Sequence, residues 1–281
     1  MKNAYLIIIT LMLIPIISHA QHSCCIPDAN AKFASFAAEA EFIRAHDLPL
    51  PYHGESLAGT MISFPCASGA NGSAYLAASD KHPNKVILMF HEFWGLNDYI
   101  KSEADNLSKE LGVTVCAIDL YDGKVATTRE DASKYLQALT SDRGNALIDG
   151  AVTYFGKNVR FGTIGWCMGG TWSQQAAIRA GSQSDACVIY YGMPETDQAK
   201  LKEMHAHVLG IFGNKDKWIS PKVVSDYKEA MKKAGKKLIV HSYEADHAFA
   251  NPSNPNHDKA ATEEAHKFTI AFFKREMQLF Q

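Results

Sequence analysis

The sequence lacks an excess of positive charge. Its 28 Lys and Arg residues face 30 Asp and Glu residues, for a formal net charge of −2 over 281 residues. Because a concentrated positive field is what attracts phosphates, we expect no nucleic-acid partner. The sequence also has no internal repeat and no low-complexity tract, and its 47% hydrophobic residues are enough to build one well-packed domain.

Two common sequence signatures of a zinc site are also missing. No C-x-x-C pair occurs, and His91 in HEFWG has no second histidine four residues further on, as an H-E-x-x-H motif requires. We therefore expect no metal site, and no other motif implies a cofactor.

The longest apolar run lies at the N-terminus and has the form of a secretory signal. Lys2 precedes YLIIITLMLIPII, Pro15 interrupts that run, and SHA places small residues before a cleavage point after Ala20. The run is too short for a comfortable transmembrane helix. We expect a signal peptide at 1–20 and an exported protein, periplasmic or secreted, without stable membrane insertion. The sequence does not indicate its oligomeric state.

Export affects the interpretation of the six cysteines, because oxidising compartments favour disulfides between exposed thiols. Cys116 and Cys187 lie in apolar, strand-like runs and are interpreted as small buried hydrophobic residues. Cys66 is expected to form a disulfide with Cys24 or Cys25, and the sequence leaves the choice between these two partners open.

Short apolar runs alternate with segments of helical periodicity through most of the chain. The predicted strands are VILMF, VTVCAI, RFGTI, CVIYY, VLGIF and LIVHSY, and the predicted helices include DYIKSEADNLSKEL and PKVVSDYKEAMKKAG. This alternation predicts an α/β fold with a mainly parallel sheet and helices on both faces. Before these units, MISFPC and GSAYLAAS flank the turn-rich ASGANG and predict an antiparallel hairpin.

An N-terminal extension at 21–57 precedes the predicted main domain at 58–281. The segment AKFASFAAEAEFIRAH is predicted to form one helix, and DLPLPY an extended connector. One helical face would carry Phe33, Phe36, Ala37, Ala40 and Ile43. We favour a surface helix docked on the domain over an active-site lid.

The stretch TIGWCMGGTWS, residues 163–173, indicates a strand, a tight turn and a helix with Cys167 at the apex. Gly165 and Gly169 flank the apex two residues away on each side, as in the G-x-S-x-G nucleophile elbow with cysteine in place of serine. Cys167 is therefore a candidate nucleophile. The alternative is a core thiol below a glycine-rich turn.

A cysteine nucleophile needs a base and an orienting acid, and the loops after two predicted strands supply both. Asp216 follows VLGIF, and His247 follows the last strand. Because the carboxyl ends of parallel strands share one crevice, we expect Cys167, Asp216 and His247 to lie together. Asp246 is the alternative acid, but a side chain adjacent to His247 reaches its imidazole with difficulty. His241, within the strand, is interpreted as a packing residue.

The motifs HEFWG, IDLYDGK, GWCMGG, GNKDKW and DHAFAN together resemble those of the dienelactone hydrolases, from about residue 58 to the C-terminus. The resemblance implies an α/β-hydrolase fold and a triad of Cys167, Asp216 and His247. It also implies that Glu92 regulates the thiol and that the backbone N–H groups of Phe93 and Met168 form an oxyanion hole.

The resemblance also bears on substrate binding. In the best-known dienelactone hydrolases two arginines bind a substrate carboxylate, one in an R-E pair beside a helix and one four residues after the catalytic histidine. Arg129 in TTREDASKY matches the first, with a solvated helix residue as the alternative, while Asn251 stands at the second. Phe93, Trp94 and Trp172 could line an apolar pocket, although core packing is expected for at least one of them.

These observations predict an exported cysteine hydrolase acting on small lactones or activated esters through a thioester acyl-enzyme. Two other classes stay open. A thiol-redox protein could use Cys167 with another cysteine, but no resolving cysteine lies near it in sequence. A non-catalytic binding protein on the same fold is also possible.

Overall fold

Eight strands form one sheet in the computed structural model, which describes residues 28–255 and 257–280. The strands are β1 (Thr60–Phe64), β2 (Gly72–Ala77), β3 (Lys85–Phe90), β4 (Thr114–Ile118), β5 (Arg160–Trp166), β6 (Ser184–Tyr190), β7 (His207–Gly213) and β8 (Leu238–Tyr243). Their order across the sheet is β1-β2-β4-β3-β5-β6-β7-β8. The signal peptide predicted at 1–20, and Cys24 and Cys25, lie outside the described residues.

The sheet is antiparallel at one edge and parallel elsewhere. β1 pairs with β2, and β2 with β4, in antiparallel register, whereas every pair from β4 through β3 to β8 is parallel. The predicted hairpin and the predicted mainly parallel sheet are therefore confirmed. The parallel strands β3, β5, β6 and β7 are almost wholly buried, as expected for strands covered on both faces.

The helices are α1 (Ala29–Phe36), α2 (Ala40–Ala45), α3 (Asp98–Leu111), α4 (Arg129–Ala138), α5 (Ser141–Phe155), α6 (Met168–Arg179), α7 (Gln198–Glu203), α8 (Pro221–Lys233) and α9 (Lys259–Glu276). Two successive residues of β5 show that the helices cover both faces of the sheet. A side chain at Gly162 would meet Phe273 of α9, whereas Thr163 accepts a hydrogen bond from Ser173 of α6 at 2.9 Å. Helices thus pack on both faces, as predicted.

The predicted helix DYIKSEADNLSKEL is confirmed as α3, and a capping residue lies at each of its ends. α3 begins after Asn97, whose side chain accepts a hydrogen bond from the N–H of Ile100, and ends at Gly112 in the left-handed conformation. None of the helices in the described ranges combines the length and the hydropathy that a membrane span requires.

The prediction of one helix in the N-terminal extension is wrong. The chain forms α1 and α2 separately, because the N–H groups of Ala37 and Glu39 bond to carbonyls three residues back and tighten the end of α1. The break changes which side chains face inward: Ala40 is exposed, and Phe42 is fully buried. α1 docks on α4 and α6, as predicted for a surface helix. α2 continues towards the carboxyl ends of the strands.

Candidate active site

Cys167 stands at the turn between β5 and α6 in a strained conformation. Its φ of 57° and ψ of −126° lie in a region that a non-glycine residue rarely adopts. The flanking glycines are a steric requirement. A Cβ at Gly165 would overlap the carbonyl oxygen of Gly169, and a Cβ at Gly169 would overlap that of Phe90. The turn therefore holds the sulfur at the carboxyl edge of the sheet, at the amino end of α6.

The structure brings Cys167, His247 and Asp216 into one hydrogen-bonded chain. His247 Nε2 lies 3.3 Å from Cys167 Sγ, and His247 Nδ1 lies 2.6 Å from Asp216 Oδ2. The other oxygen of Asp216 accepts two backbone N–H groups, from Trp218 and Ile219, each at 2.8 Å. Asp246, the alternative acid, has an exposed side chain. The contacts fix the imidazole with its second nitrogen towards the thiol.

The pKa values of these three groups follow from their burial and their mutual contacts. Burial raises the Cys167 pKa, and the Glu92 charge adds to that rise, while His247 opposes it. Burial alone would lower the His247 pKa, but Asp216 and Cys167 raise it well above its usual value. Burial would raise the Asp216 pKa, yet His247 and the two backbone donors hold it below its usual range. Asp216 is therefore the permanent negative charge of the group.

Glu92 is almost wholly buried and interacts electrostatically with Cys167 and His247. Burial raises its pKa to about 7, against the opposing effects of His247 and of a hydrogen bond with Asn251. Asn251 is itself oriented, because its side-chain oxygen accepts hydrogen bonds from the N–H and hydroxyl of Ser253 at 2.8 and 2.7 Å. Its amide NH₂ group is thereby left to donate to Glu92.

The N-terminal extension covers the thiol. His46 follows α2, and its Nε2 lies 3.7 Å from Cys167 Sγ. The Phe42 ring packs on Trp218 at 5.2 Å and on His247 at 6.0 Å between ring centroids. Cys167, in contact with this segment, is 0% exposed. Of the two interpretations of the extension, docked helix and lid, α1 fits the first, whereas α2 and His46 cover the site as a lid would.

Sequence reasoning missed His46. It is 121 residues from Cys167 in the chain, and the assumed single helix left Phe42 and His46 off its inward face. The signal that could have found it is the four-residue spacing of these two aromatic side chains, which places them on one side of a helical turn. Burial is the main factor that lowers the His46 pKa, to about 3, and the imidazole is neutral. Ligand atoms of His46, Cys167 and His247 lie within 4.8 Å of one another, so these three side chains could together hold a metal ion.

Arg129 binds the N-terminal extension in this structure, whereas its sequence position suggested a substrate-binding residue. Its Nε donates to the backbone oxygen of His46 at 2.7 Å, and its Nη2 to Asp47 Oδ1 at 2.9 Å. Both donors hold the N-terminal extension. Two of the five N–H donors of this guanidinium are thus engaged by the extension and not by a substrate carboxylate. The sequence pattern around Arg129 does not show that the extension passes over it.

The other residues named from the sequence have different surroundings. The Met168 N–H interacts with the Cys167 thiol. The ring of Phe93 packs against His46 at 4.4 Å, and against Trp94 at 5.3 Å. Trp172 is a core residue under α5, where a side chain at Gly144 would overlap its ring. His241 stacks on Phe268 at 3.8 Å, in agreement with a packing role.

Two cavities flank the covered triad. The first, of about 550 Å³, is lined by Glu92, Trp94 and Asn251 and by the aromatic side chains of Trp166 and Tyr190. The second, of about 590 Å³, lies on the side of His247 and Trp218. Both are large enough for a small organic molecule. Cys167 lines neither cavity in this arrangement.

The sheet order, the strained elbow and the Cys167–His247–Asp216 chain define an α/β-hydrolase. The sequence model described as "Dienelactone hydrolase family" matches residues 73–277. The chain belongs to the dienelactone hydrolase family and is a hydrolase.

Individual relatives are similar to this chain over most of their length. Protein usf of Aquifex pyrophilus is 28% identical over 230 residues, covering 77% of this chain and 98% of its own. Carboxymethylenebutenolidase 1 of Cupriavidus pinatubonensis is 26% identical over 217 residues, covering 72% and 91%.

Two solved structures share the fold. A dienelactone hydrolase-like promiscuous phosphotriesterase from metagenomic libraries has a TM-score of 0.67 and 20% identity, covering 78% of this chain and 99% of its own. The dienelactone hydrolase from Anabaena variabilis has a TM-score of 0.56 and 17% identity, covering 78% and 98%. Each match leaves out roughly a fifth of this chain or more, and the family match begins only at residue 73, after the segment that carries Phe42 and His46.

Proposed function

We propose that this protein is an exported cysteine hydrolase of lactones or activated esters, with Cys167 as nucleophile, His247 as base and Asp216 as the acid that orients His247. The observation that carries the proposal is the unbroken chain of contacts from Asp216 Oδ2 through both ring nitrogens of His247 to Cys167 Sγ. Relatives named carboxymethylenebutenolidase support the substrate class, since a butenolide is a lactone. No cofactor takes part in this chemistry.

The proposed reaction has two halves. In the first, the thiol proton of Cys167 passes to His247 Nε2, and Sγ attacks the substrate carbonyl carbon. The N–H groups of Phe93 and Met168 are assigned to the resulting oxyanion. The intermediate collapses as the carbon–oxygen bond breaks, and the departing oxygen takes the proton from His247. A thioester to Cys167 remains.

In the second half, water attacks the thioester while His247 Nε2 accepts one of its protons. Collapse of this second intermediate breaks the carbon–sulfur bond, releases the carboxylic acid and returns the proton to sulfur. Asp216 keeps Nδ1 protonated throughout, so that Nε2 is the nitrogen that exchanges the proton. Trp218 and Ile219 support this role, because their N–H groups stabilise the Asp216 charge.

Glu92 is assigned to keep the resting thiol neutral. Its buried carboxylate opposes formation of a second negative charge on Cys167. A neutral thiol is less easily oxidised or alkylated than a thiolate. This protection has particular value for an exported cysteine enzyme.

Substrate access requires the cover of Phe42 and His46 to move, because Cys167 has no exposed surface beneath it. The two flanking cavities then provide room on either side of the sulfur. We therefore assign the extension a gating role, with α1 as its fixed anchor on α4 and α6.

The decisive experiment measures turnover of a panel of lactones, activated esters and thioesters by the wild type and by Cys167→Ala. We expect wild-type turnover and loss of it in the variant, with a thioester adduct on the Cys167 peptide trapped by acid quenching and seen by mass spectrometry. Cys116→Ala is the matched control, since it removes another fully buried thiol, in β4. Wild-type activity in Cys167→Ala would refute the assignment of the nucleophile.

Export rests on the sequence of residues 1–20. Expression of the full chain in a bacterial host should yield a mature protein that begins at Gln21 and fractionates outside the cytoplasm. Its N-terminal sequence and its fractionation are the measurements. A cytoplasmic protein that retains Met1 would contradict this part of the proposal.

A further inference from the structure

A second chemical property of the site does not follow from ester hydrolysis. We propose that His46, Cys167 and His247 form a binding site for Zn²⁺, which the N-terminal extension completes by supplying His46. Occupation of this site would reversibly block the thiol.

The distances around the sulfur fit a zinc ion. Cys167 Sγ lies 3.3 Å from His247 Nε2 and 3.7 Å from His46 Nε2. With Zn–S bonds of about 2.3 Å and Zn–N bonds of about 2.0 Å, a tetrahedral ion places its nitrogen and sulfur ligands roughly 3.5 Å apart. The ligand nitrogens of His46 and His247 lie within 4.8 Å of each other. To reach the separation that a tetrahedral zinc ion requires, they have to approach by at most about 1.5 Å. His46 directly follows α2, outside the sheet, so this approach would displace no strand.

Both imidazoles present the correct nitrogen. His46 Nδ1 donates to the backbone oxygen of Phe42 at 2.8 Å, and His247 Nδ1 donates to Asp216 Oδ2 at 2.6 Å. A carbonyl oxygen and a carboxylate can only accept, so each ring carries a proton on Nδ1 and presents Nε2 to the site. Histidines that bind metals are held in this way, with the second nitrogen bonded to a carbonyl or a carboxylate. Because the pKa of His247 is raised, Zn²⁺ must also displace any proton held on its Nε2.

The His46 ring is held in position before any ion arrives. It packs between the rings of Phe42 and Phe93, each with its centroid 4.4 Å from that of His46. Arg129 fixes the backbone at the same residue by donating to its carbonyl oxygen. Two imidazoles and one thiol make a ligand set typical of zinc, and three protein ligands leave a fourth position for water or a carboxylate.

The binding step is balanced without an oxidant or reductant. Zn²⁺ from the medium forms one bond to Cys167 Sγ and one to each Nε2, and the thiol proton, together with any proton on His247 Nε2, is released to solvent. The sulfur lone pair that would attack a substrate is then engaged with the metal. A chelator that removes the ion returns the free thiol.

The test uses the mature protein with Cys24→Ser, Cys25→Ser and Cys66→Ser, which removes three other thiols that could bind zinc. Zinc affinity is measured by competition with a chromophoric chelator, in this background and after addition of His46→Ala. We expect one Zn²⁺ per chain and an affinity at least tenfold weaker in His46→Ala. The matched control is His241→Ala, which removes a histidine stacked on Phe268 in β8. It should leave the affinity unchanged.

Co²⁺ provides a second readout that does not depend on activity. In the background protein it should give the near-ultraviolet thiolate-to-cobalt band and the visible bands of a tetrahedral ion, and both should be lost in His46→Ala. If His46→Ala does not fold, His46→Gln keeps a polar side chain of similar size and replaces it in both measurements. Equal zinc affinity with and without His46, or a cobalt complex without the thiolate band, would overturn the proposal. Because binding is measured directly, zinc binding without esterase activity would refute the proposed hydrolysis alone.

Discussion

At the scale of single residues, the site pairs a reactive group with several restraints on it. The elbow projects Cys167 to the edge of the sheet, and His247 lies within reach of its proton. Burial and the nearby Glu92 nevertheless raise the thiol pKa. Burial of the Glu92 carboxyl likewise raises its own pKa, to about 7. The resting state is therefore one in which charge at the sulfur is disfavoured until the surroundings change.

Asp216 and Asp246 give the clearest prediction about a single side chain. Asp216→Asn should reduce kcat strongly, because an amide cannot hold His247 in the same tautomer. The corresponding change in a serine protease costs about 10⁴ in kcat. Asp246→Asn should have little effect, since its side chain is exposed and only Asp216 is hydrogen-bonded to His247 Nδ1. Steady-state kinetics with one activated ester check the pair. The reverse ranking would reassign the acid.

Glu92 gives a prediction about stability and pH. Its pKa is raised from 4.5 to about 7 in the folded protein, so the unfolded state ionises first as the pH rises. Glu92 therefore costs no stability below about pH 4.5 and destabilises the folded state increasingly up to about pH 7. The full difference is ~3 kcal/mol.

Glu92→Gln should accordingly gain stability relative to the wild type between about pH 4.5 and pH 7. Urea unfolding of both proteins across this range is the measurement, and the difference between them cancels the titration of other groups. A difference in unfolding free energy that does not change with pH would show that the Glu92 carboxyl titrates normally.

At the scale of elements, sequence patterns predicted most of the fold. β3, β4 and β7 are apolar runs that must be covered on both faces, and α3 has a capping residue at each end. The positions of Cys167, Asp216 and His247 follow from the rule that carboxyl ends of parallel strands share one edge. These features are local or depend on one general rule, which is why the sequence reveals them.

The N-terminal extension could not be predicted in the same way. Its helical break at Ala37–Glu39 has no glycine or proline to mark it, and the break decides that Phe42 and His46 face the triad. The partner of Arg129 is Asp47, which lies 82 residues earlier in the chain. No local pattern specifies contacts of this kind, because they depend on how a separate segment crosses the finished sheet.

The hold of Arg129 on this extension leads to a prediction about access. Arg129→Met removes the bonds to the His46 carbonyl and to Asp47, and should increase the rate of Cys167 alkylation by iodoacetamide about tenfold. The Arg129–Asp47 bond is charge-assisted and partly exposed, so its loss should cost ~1 to 2 kcal/mol. An energy of that size corresponds to about a tenfold change in rate. Mass spectrometry of the Cys167 peptide measures the rate apart from the other cysteines.

Arg179→Met is the matched control for that experiment. Arg179 pairs with Asp149 between α5 and α6, at side-chain exposures of 34% and 46%, close to the 33% and 39% of Arg129 and Asp47. Its loss should leave the alkylation rate unchanged. Equal rates in all three proteins would mean that the Arg129 bonds do not restrain the cover.

At the scale of the whole molecule, net charge and cavity lining point to the kind of substrate that is accepted. The chain carries a formal charge of −2. The cavity beside Glu92 is also lined by Glu103, Glu110 and Glu263, against one lysine, Lys267. Arg129 is bound to the extension, and Asn251, at the second arginine position of the family, donates to Glu92. Of these two residues, Arg129 is already paired with Asp47 and Asn251 is uncharged, so neither supplies an unpaired positive charge.

We therefore predict that the wild type does not prefer a carboxylate-bearing lactone or ester over a neutral one of similar size. A missing charge-assisted bond is worth roughly 1.5 to 3 kcal/mol, or about ten- to a hundredfold in kcat/KM. Asn251→Arg should shift the ratio of kcat/KM values towards the anionic substrate, although part of the new charge will be neutralised by Glu92. Asn106→Arg, an exposed change on α3 with the same effect on net charge, should leave the ratio unaltered. Strong wild-type selectivity for the anion would contradict the prediction, because the substrate carboxylate would then need a cation, and Arg129 released from Asp47 would be the first to consider.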